Sequence, residues 1–143
     1  MDTCDHNQYS EDIGINIVIR DPMPADKNLI MSTWLKGNYY GNSYFWYIPQ
    51  DLYFQEYAKV ISNILFDPKV KVIVACDEQN PSWLVGYAVI KNEALYWIYV
   101  KRDYREKGIA KLLLNNVEIK VVKSVTKIGK PIAEKKKLIF NPF

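Results

Sequence analysis

The chain of 143 residues is 49% hydrophobic and 24% charged, which excludes disordered, fibrous and collagen-like classes and fits one globular domain with its own core. Its net charge of +3 hides an asymmetry: residues 1–100 hold 7 Lys/Arg against 12 Asp/Glu, and residues 101–143 hold 12 against 4. A basic carboxy-terminal third suits a polyanionic ligand, either a phosphorylated cofactor or a nucleic acid.

In chain order, residues 1–12 are polar without a period and read as a tail ahead of a single domain over 13–143. Residues 13–20 alternate, with Ile13, Ile15, Ile17 and Ile19 on one face, and predict a strand that Asp21-Pro-Met-Pro24 ends. Leu29, Ile30, Thr33 and Trp34 carry helical spacing over 25–36. Residues 37–47, with two glycines and no period, read as a long connection. Pro49 opens a second helix whose apolar stripe is Tyr53, Tyr57, Val60, Ile61, Ile64 and Leu65, stopped by Asp67-Pro68. Three strand-like segments follow at 70–77, 83–91 and 94–101. Their connections are too short for parallel crossovers, so they predict an antiparallel meander. A helix over 108–120 would bury Ile109, Leu112, Leu113 and Val117. A strand over 121–127, a short helix over 131–137 and a strand over 138–140 complete an α+β order, β-α-α-β-β-β-α-β-α-β.

The richest segment joins the apolar run Leu95–Val100 to Lys111-Leu-Leu-Leu114. It reads as strand, basic turn and helix, with the spacing Arg105-x-x-Gly108-x-Ala110. A helix start offers unpaired N–H groups and the positive end of the macrodipole, so such a turn suits an anion such as a pyrophosphate. Gly108 admits close backbone approach, and Ala110 keeps the first helical turn low.

These elements, with that motif between the strand at 94–101 and the next helix, resemble the GNAT superfamily of acyl-CoA-dependent N-acyltransferases. The resemblance covers about residues 13–140 and is strongest over 83–114. Leu84-Val-Gly-Tyr-Ala-Val89 is similar to the family's third strand, and Ile19-Arg-Asp-Pro22 to its first strand and turn. The resemblance implies a mixed, mostly antiparallel sheet flanked by helices, and acetyl-CoA as acyl donor. It implies a pyrophosphate held by Arg105, Glu106, Lys107, Gly108, Ile109 and Ala110, and pantetheine amides paired with Ile98, Tyr99 and Val100. The implied chemistry is direct attack of a primary amine, on a small molecule or a protein, upon the thioester. The family's tyrosine acid after the fifth strand has no counterpart, since no Tyr follows Tyr104, and Ala94 stands at the usual glutamate position. Glu93, one place away, and Tyr96, on the same strand, are the catalytic candidates. With a regular pleat, Tyr96 and Ile98 would share the face of Ala94.

The aromatic stretch offers Tyr39, Tyr40, Tyr44 and Trp46 as an acceptor wall, with core packing or partner contact as the alternatives. His6 is the only histidine, and Cys4 and Cys76 lie far apart, which argues against a catalytic triad, a metal site or a disulfide framework. Lys135-Lys-Lys137 reads as a solvated helix face. No apolar run reaches the ~20 residues of a membrane span, and the amino terminus has neither a basic nor an apolar leader region. A cytoplasmic monomer or homodimer, without membrane or nucleic acid, is the expectation. The rival functions are a catalytically silent CoA-binding or regulatory protein of the same fold and a small basic nucleic-acid-binding protein.

Overall fold

The three segments between residues 70 and 101 form the meander that their alternation predicts, and the fold is assembled around it. The structure, a computed structural model, describes residues 7–10, 15–123 and 139–140. Strands β1 (Asn7–Ser10), β2 (Ile15–Arg20), β3 (Val70–Asp77), β4 (Leu84–Lys91), β5 (Ala94–Val100), β6 (Val121–Val122) and β7 (Ile139–Phe140) form one sheet in chain order. Pairing is antiparallel from β1 to β5 and parallel from β5 to β7. The helices are α1 (Lys27–Gly41), α2 (Gln50–Phe66) and α3 (Ile109–Leu113), with short 3-10 segments at Pro24–Asp26, Ser43–Tyr47 and Arg102–Tyr104.

Two apolar layers flank the sheet. On one face α1 and α2 pack Ile30, Trp34 and Ile61 against Val74, Tyr87, Val89 and Trp97. On the other, α3 packs Ile109, Leu112 and Leu113 against Ile17, Ile73, Val85 and Ile90. β4 is buried along almost its whole length because both layers cover it.

Several sequence expectations need correction. Part of the supposed tail, Asn7–Ser10, is a strand paired to β2, because an edge strand is held by its backbone ladder and needs no apolar alternation. Helix α1 runs through Gly37 to Gly41, so the following connection is shorter than the two glycines implied. Gly37 sits in the helix because Trp97 lies against it: a Cβ there would come within 2.8 Å of Trp97 Cζ2. Helix α3 ends at Leu113 rather than near residue 120. The bonds Asn115 N–H to Leu112 O and Val117 N–H to Leu114 O tighten the chain, and Lys120 N–H then reaches Glu93 O to start β6. The expected helix at 131–137 lies outside the described residues, as does most of the strand expected at 121–127.

The face assignments on β5 also change. A bulge opposes Val89 and Ile90 to Trp97 and Leu95, leaving Tyr96 as the extra residue. Tyr96 therefore packs with Trp97 on the α1–α2 side, while Ile98 packs on the α3 side. They do not share one face.

Candidate active site

Strand β5, with the turn that follows it, carries most of the candidate residues. Its bonds to β6 are confined to its first residues, with Val121 N–H bound to Glu93 O and Lys123 N–H to Leu95 O. Beyond Leu95, no described residue pairs with β5 on that side, so the edge from Tyr96 to Val100 is available to another extended chain.

At the end of β5 the chain enters the basic turn. Lys101 N–H still bonds Val85 O at 2.8 Å, and the 3-10 segment Arg102–Tyr104 follows. Glu106 (φ 62°) and Gly108 (φ 84°) both lie in the left-handed region, a backbone sequence that forms concave anion-binding nests. No side chain caps α3, and the N–H groups of Glu106 through Ala110 make no well-aligned backbone hydrogen bond among the described residues. Arg105 Nε donates to Val100 O at 2.9 Å, which pins the guanidinium to the strand end and leaves its outer N–H groups without partners among the described residues. Arg105, Lys107 and Lys111 surround the turn. Unpaired donors and positive charge together fit a pyrophosphate-bearing ligand.

The base of this turn is tightly packed. A Cβ on Gly86 would lie 2.6 Å from Tyr99 O and 3.4 Å from Ile109 Cγ2, so β5 and α3 converge over a residue that must be small. Trp83 Nε1 donates to the Tyr104 hydroxyl at 3.1 Å, and Lys101 Nζ sits 3.7 Å from the Trp83 ring centroid. Burial lowers the Lys101 ammonium below its usual range. Burial raises the Tyr99 phenol, and the Arg105 charge opposes that rise.

The two catalytic candidates are not brought together with the turn. Glu93 lies in the β4–β5 connection, at the opposite end of β5 from Arg105, roughly 20 Å away at the usual strand rise. Its carboxylate pairs with Lys120 Nζ at 3.2 Å. Tyr96, partly buried at the bulge, is mid-strand.

The four aromatic candidates do converge. Tyr39 contacts the rings of Tyr40, Tyr53 and Phe54 at 5.0–5.7 Å, Tyr44 lies 4.3 Å from Phe45, and Trp46 Nε1 donates to Tyr39 O at 2.8 Å. Beneath them is a polar device that sequence reasoning missed. Buried Asn38 donates through Nδ2 to the Tyr53 hydroxyl at 3.3 Å, and that hydroxyl donates to Leu35 O at 2.8 Å. Asn42 Nδ2 donates to both oxygens of Asn38 at 3.0 Å. Burial pushes the Tyr53 phenol up to about 12, so it stays neutral. The signal available was a polar residue four positions after Trp34, on the inner stripe of α1. Through Gly37 and Trp34, whose ring stacks on Trp97 at 5.9 Å, this layer is seated on the centre of β5.

The sequence matches the profile of the Acetyltransferase (GNAT) family over residues 30–129, most of the chain. The chain belongs to the GNAT acetyltransferase family. Solved structures share its fold at low identity. A putative acetyltransferase from Pyrococcus furiosus is 18% identical, with 87% of this chain and 78% of that one covered and a TM-score of 0.59. The apo form of YjaB from Escherichia coli is 17% identical, with 85% and 79% covered and a TM-score of 0.57. A predicted acetyltransferase from Clostridium acetobutylicum, crystallised with acetyl-CoA, is 17% identical, with 84% and 88% covered and a TM-score of 0.57. No curated protein matches the sequence significantly. GNAT members typically use acetyl-CoA, and the turn described above fits that donor's pyrophosphate. Among the described residues no helix is long and apolar enough to cross a membrane, and no cluster of His, Cys, Asp or Glu is placed to hold a metal ion.

Proposed function

We propose that this GNAT acetyltransferase is an N-acetyltransferase that moves the acetyl group of acetyl-CoA to a primary amine by direct attack. The observation that carries the reading is the run of N–H groups from Glu106 to Ala110 with no well-aligned backbone acceptor among the described residues, curled by two left-handed residues and flanked by Arg105 and Lys107. Those residues hold the pyrophosphate, and Ile98, Tyr99 and Val100 offer the open edge of β5 to the pantetheine amides. Acetyl-CoA, when bound, supplies an activated acyl carbon and a thiolate leaving group.

In the net reaction a C–N bond forms and the C–S bond breaks. The amine gives up one proton, and the sulfur gains one. Tyr39, Tyr40, Tyr44 and Trp46 flank the acceptor. Tyr96, at the bulge, is the nearer of the two candidates for passing a proton, directly or through water; Glu93 is the more remote. Most of the acceleration then comes from holding amine and thioester together, which in well-oriented systems is worth about 7–11 kcal/mol.

The test is calorimetric titration with acetyl-CoA. Gly108→Glu places a bulky anion in the turn and is expected to abolish binding. Arg105→Ala is expected to weaken it by roughly 1–3 kcal/mol, the usual cost of one charge-assisted hydrogen bond. Unchanged affinity in both variants would overturn the site assignment.

A further inference from the structure

We infer that the acceptor amine is presented on a polypeptide, as part of a basic segment lying across the aromatic face formed between Tyr40 and Leu52. The inference rests on reading that face as the acceptor side of the site.

The face is large and open. Tyr40, Tyr44, Trp46 and Tyr47 are 59%, 63%, 54% and 92% exposed, and Leu52 and Ile48 extend the same surface. Monomeric proteins rarely leave so many aromatic rings in water without a partner, and Tyr and Trp are the side chains that dominate interface energetics. Most of these rings are also held in place. The Trp46–Tyr39 bond, the Tyr44–Phe45 contact and the 3.5 Å bond from Gln50 Nε2 to the Tyr40 hydroxyl hold three of the four, Tyr40, Tyr44 and Trp46, over the buried Tyr53–Asn38 device, and Tyr47 stands outermost. A prepositioned surface loses little side-chain freedom on binding.

Charge selects the partner. From Gly37 to Ala58 the chain carries Asp51 and Glu56 but no Lys or Arg. Glu56 is shared with Lys59 at 3.0 Å, whereas Asp51 has no ion-pair partner among the described residues. Electron-rich ring faces, with a carboxylate in the first turn of the helix that follows them and no cation in the same stretch of chain, attract ammonium and guanidinium groups. Shape argues for a polypeptide rather than a small amine. Small acceptors favour enclosed concavities, whereas the rings of Tyr40, Tyr44, Trp46 and Tyr47 stand exposed. An exposed aromatic face instead fits an extended chain that lays successive side chains on it.

The experiment measures CoA release by the full chain with acetyl-CoA and four acceptors. These are a dodecapeptide of alternating Lys and Ala, a dodecapeptide with one Lys among Glu and Ala, spermidine, and phenethylamine. The basic peptide is expected to exceed the other three in kcat/KM by at least tenfold. Tyr47→Ser and Asp51→Lys are each expected to raise its KM at least fivefold with little change in kcat. Acetyl-CoA affinity, measured on the same samples, checks that the variants are folded. Equal or better turnover of spermidine or phenethylamine, with KM still raised by the variants, would overturn the polypeptide acceptor while leaving the acceptor side in place. Variants that shift no acceptor's KM would overturn both. If no acceptor turns over, calorimetry of the basic peptide with the CoA-saturated protein decides: binding weakened by both variants supports the inference, and no binding overturns it.

Discussion

Glu93 and Tyr96 were named from sequence for the same job, and the structure gives them different surroundings. The Glu93 carboxylate is tied to Lys120 at the end of β5 remote from the basic turn. The Tyr96 side chain is redirected by a bulge that no hydropathy pattern announces, because one extra residue in a strand changes faces without changing composition. A positioned acid or base contributes about 10²–10⁴-fold to rate. Neither geometry promises that, so Glu93→Gln and Tyr96→Phe are each expected to lower the acetylation rate by less than about tenfold under saturating acetyl-CoA. A loss on the order of 10³ in either variant, with donor binding intact, would instead identify that residue as the proton-transfer group. The shape of the turn was legible because it is local: Arg105, Gly108 and Ala110 lie within six residues, and Gly108 takes the left-handed backbone that its identity suggests. Asn38 was not legible, because its importance lies in burial and in Tyr53, fifteen residues away.

At the scale of elements, two glycines do opposite work to what a sequence scan assigns them. Gly37 looked like a helix stop but is a packing residue inside α1, and Gly86 looked like any strand residue but sets the approach of β5 to α3. The strands of the meander were legible to within a residue because alternation and short turns leave few alternatives. The ends of α1 and α3 were not, since packing against Trp97 accommodates Gly37 within α1, and the bonds that lead into β6 follow directly on the end of α3. Replacing either glycine with alanine should separate the two roles in urea denaturation. In Gly37→Ala the gain in helix propensity, about 1 kcal/mol, offsets part of an overpacking cost of about 1–3 kcal/mol against Trp97. In Gly86→Ala nothing offsets a Cβ placed 2.6 Å from a backbone oxygen. Gly86→Ala is therefore expected to be the more destabilising and to weaken acetyl-CoA binding as well. Equal effects would mean that the convergence of β5 and α3 is looser than these contacts indicate.

Across the whole molecule, the charge asymmetry seen in the sequence becomes a division of labour: carboxylates predominate before residue 100, and the basic turn follows it. One of those carboxylates fastens the architecture. Arg20, at the end of β2, grips buried Asp26 in two-point fashion at 2.7 and 3.1 Å and also donates to Pro81 O at 2.7 Å, joining β2, the start of α1 and the β3–β4 connection. Burial opposes the charged form of Asp26, but the Arg20 guanidinium and the Met23 N–H outweigh it and hold the carboxyl below its ordinary value of 3.8. A depressed folded-state pKa means that the unfolded chain binds a proton first as pH falls. The pair's contribution is therefore complete above about pH 5, begins to fade near the unfolded pKa of about 4, and is lost as pH drops through the folded value. Asp26→Asn keeps the shape but removes the charge, and is expected to cost about 1–3 kcal/mol at pH 7, in line with loss of a charged hydrogen-bond acceptor. The distinguishing outcome lies in the pH series. The stability gap between wild type and Asp26→Asn, measured by denaturant titration, should stay constant from pH 8 to 5 and close below pH 4. A gap that persists undiminished at pH 3 would show that the Asp26 carboxylate is not held in its charged form by Arg20.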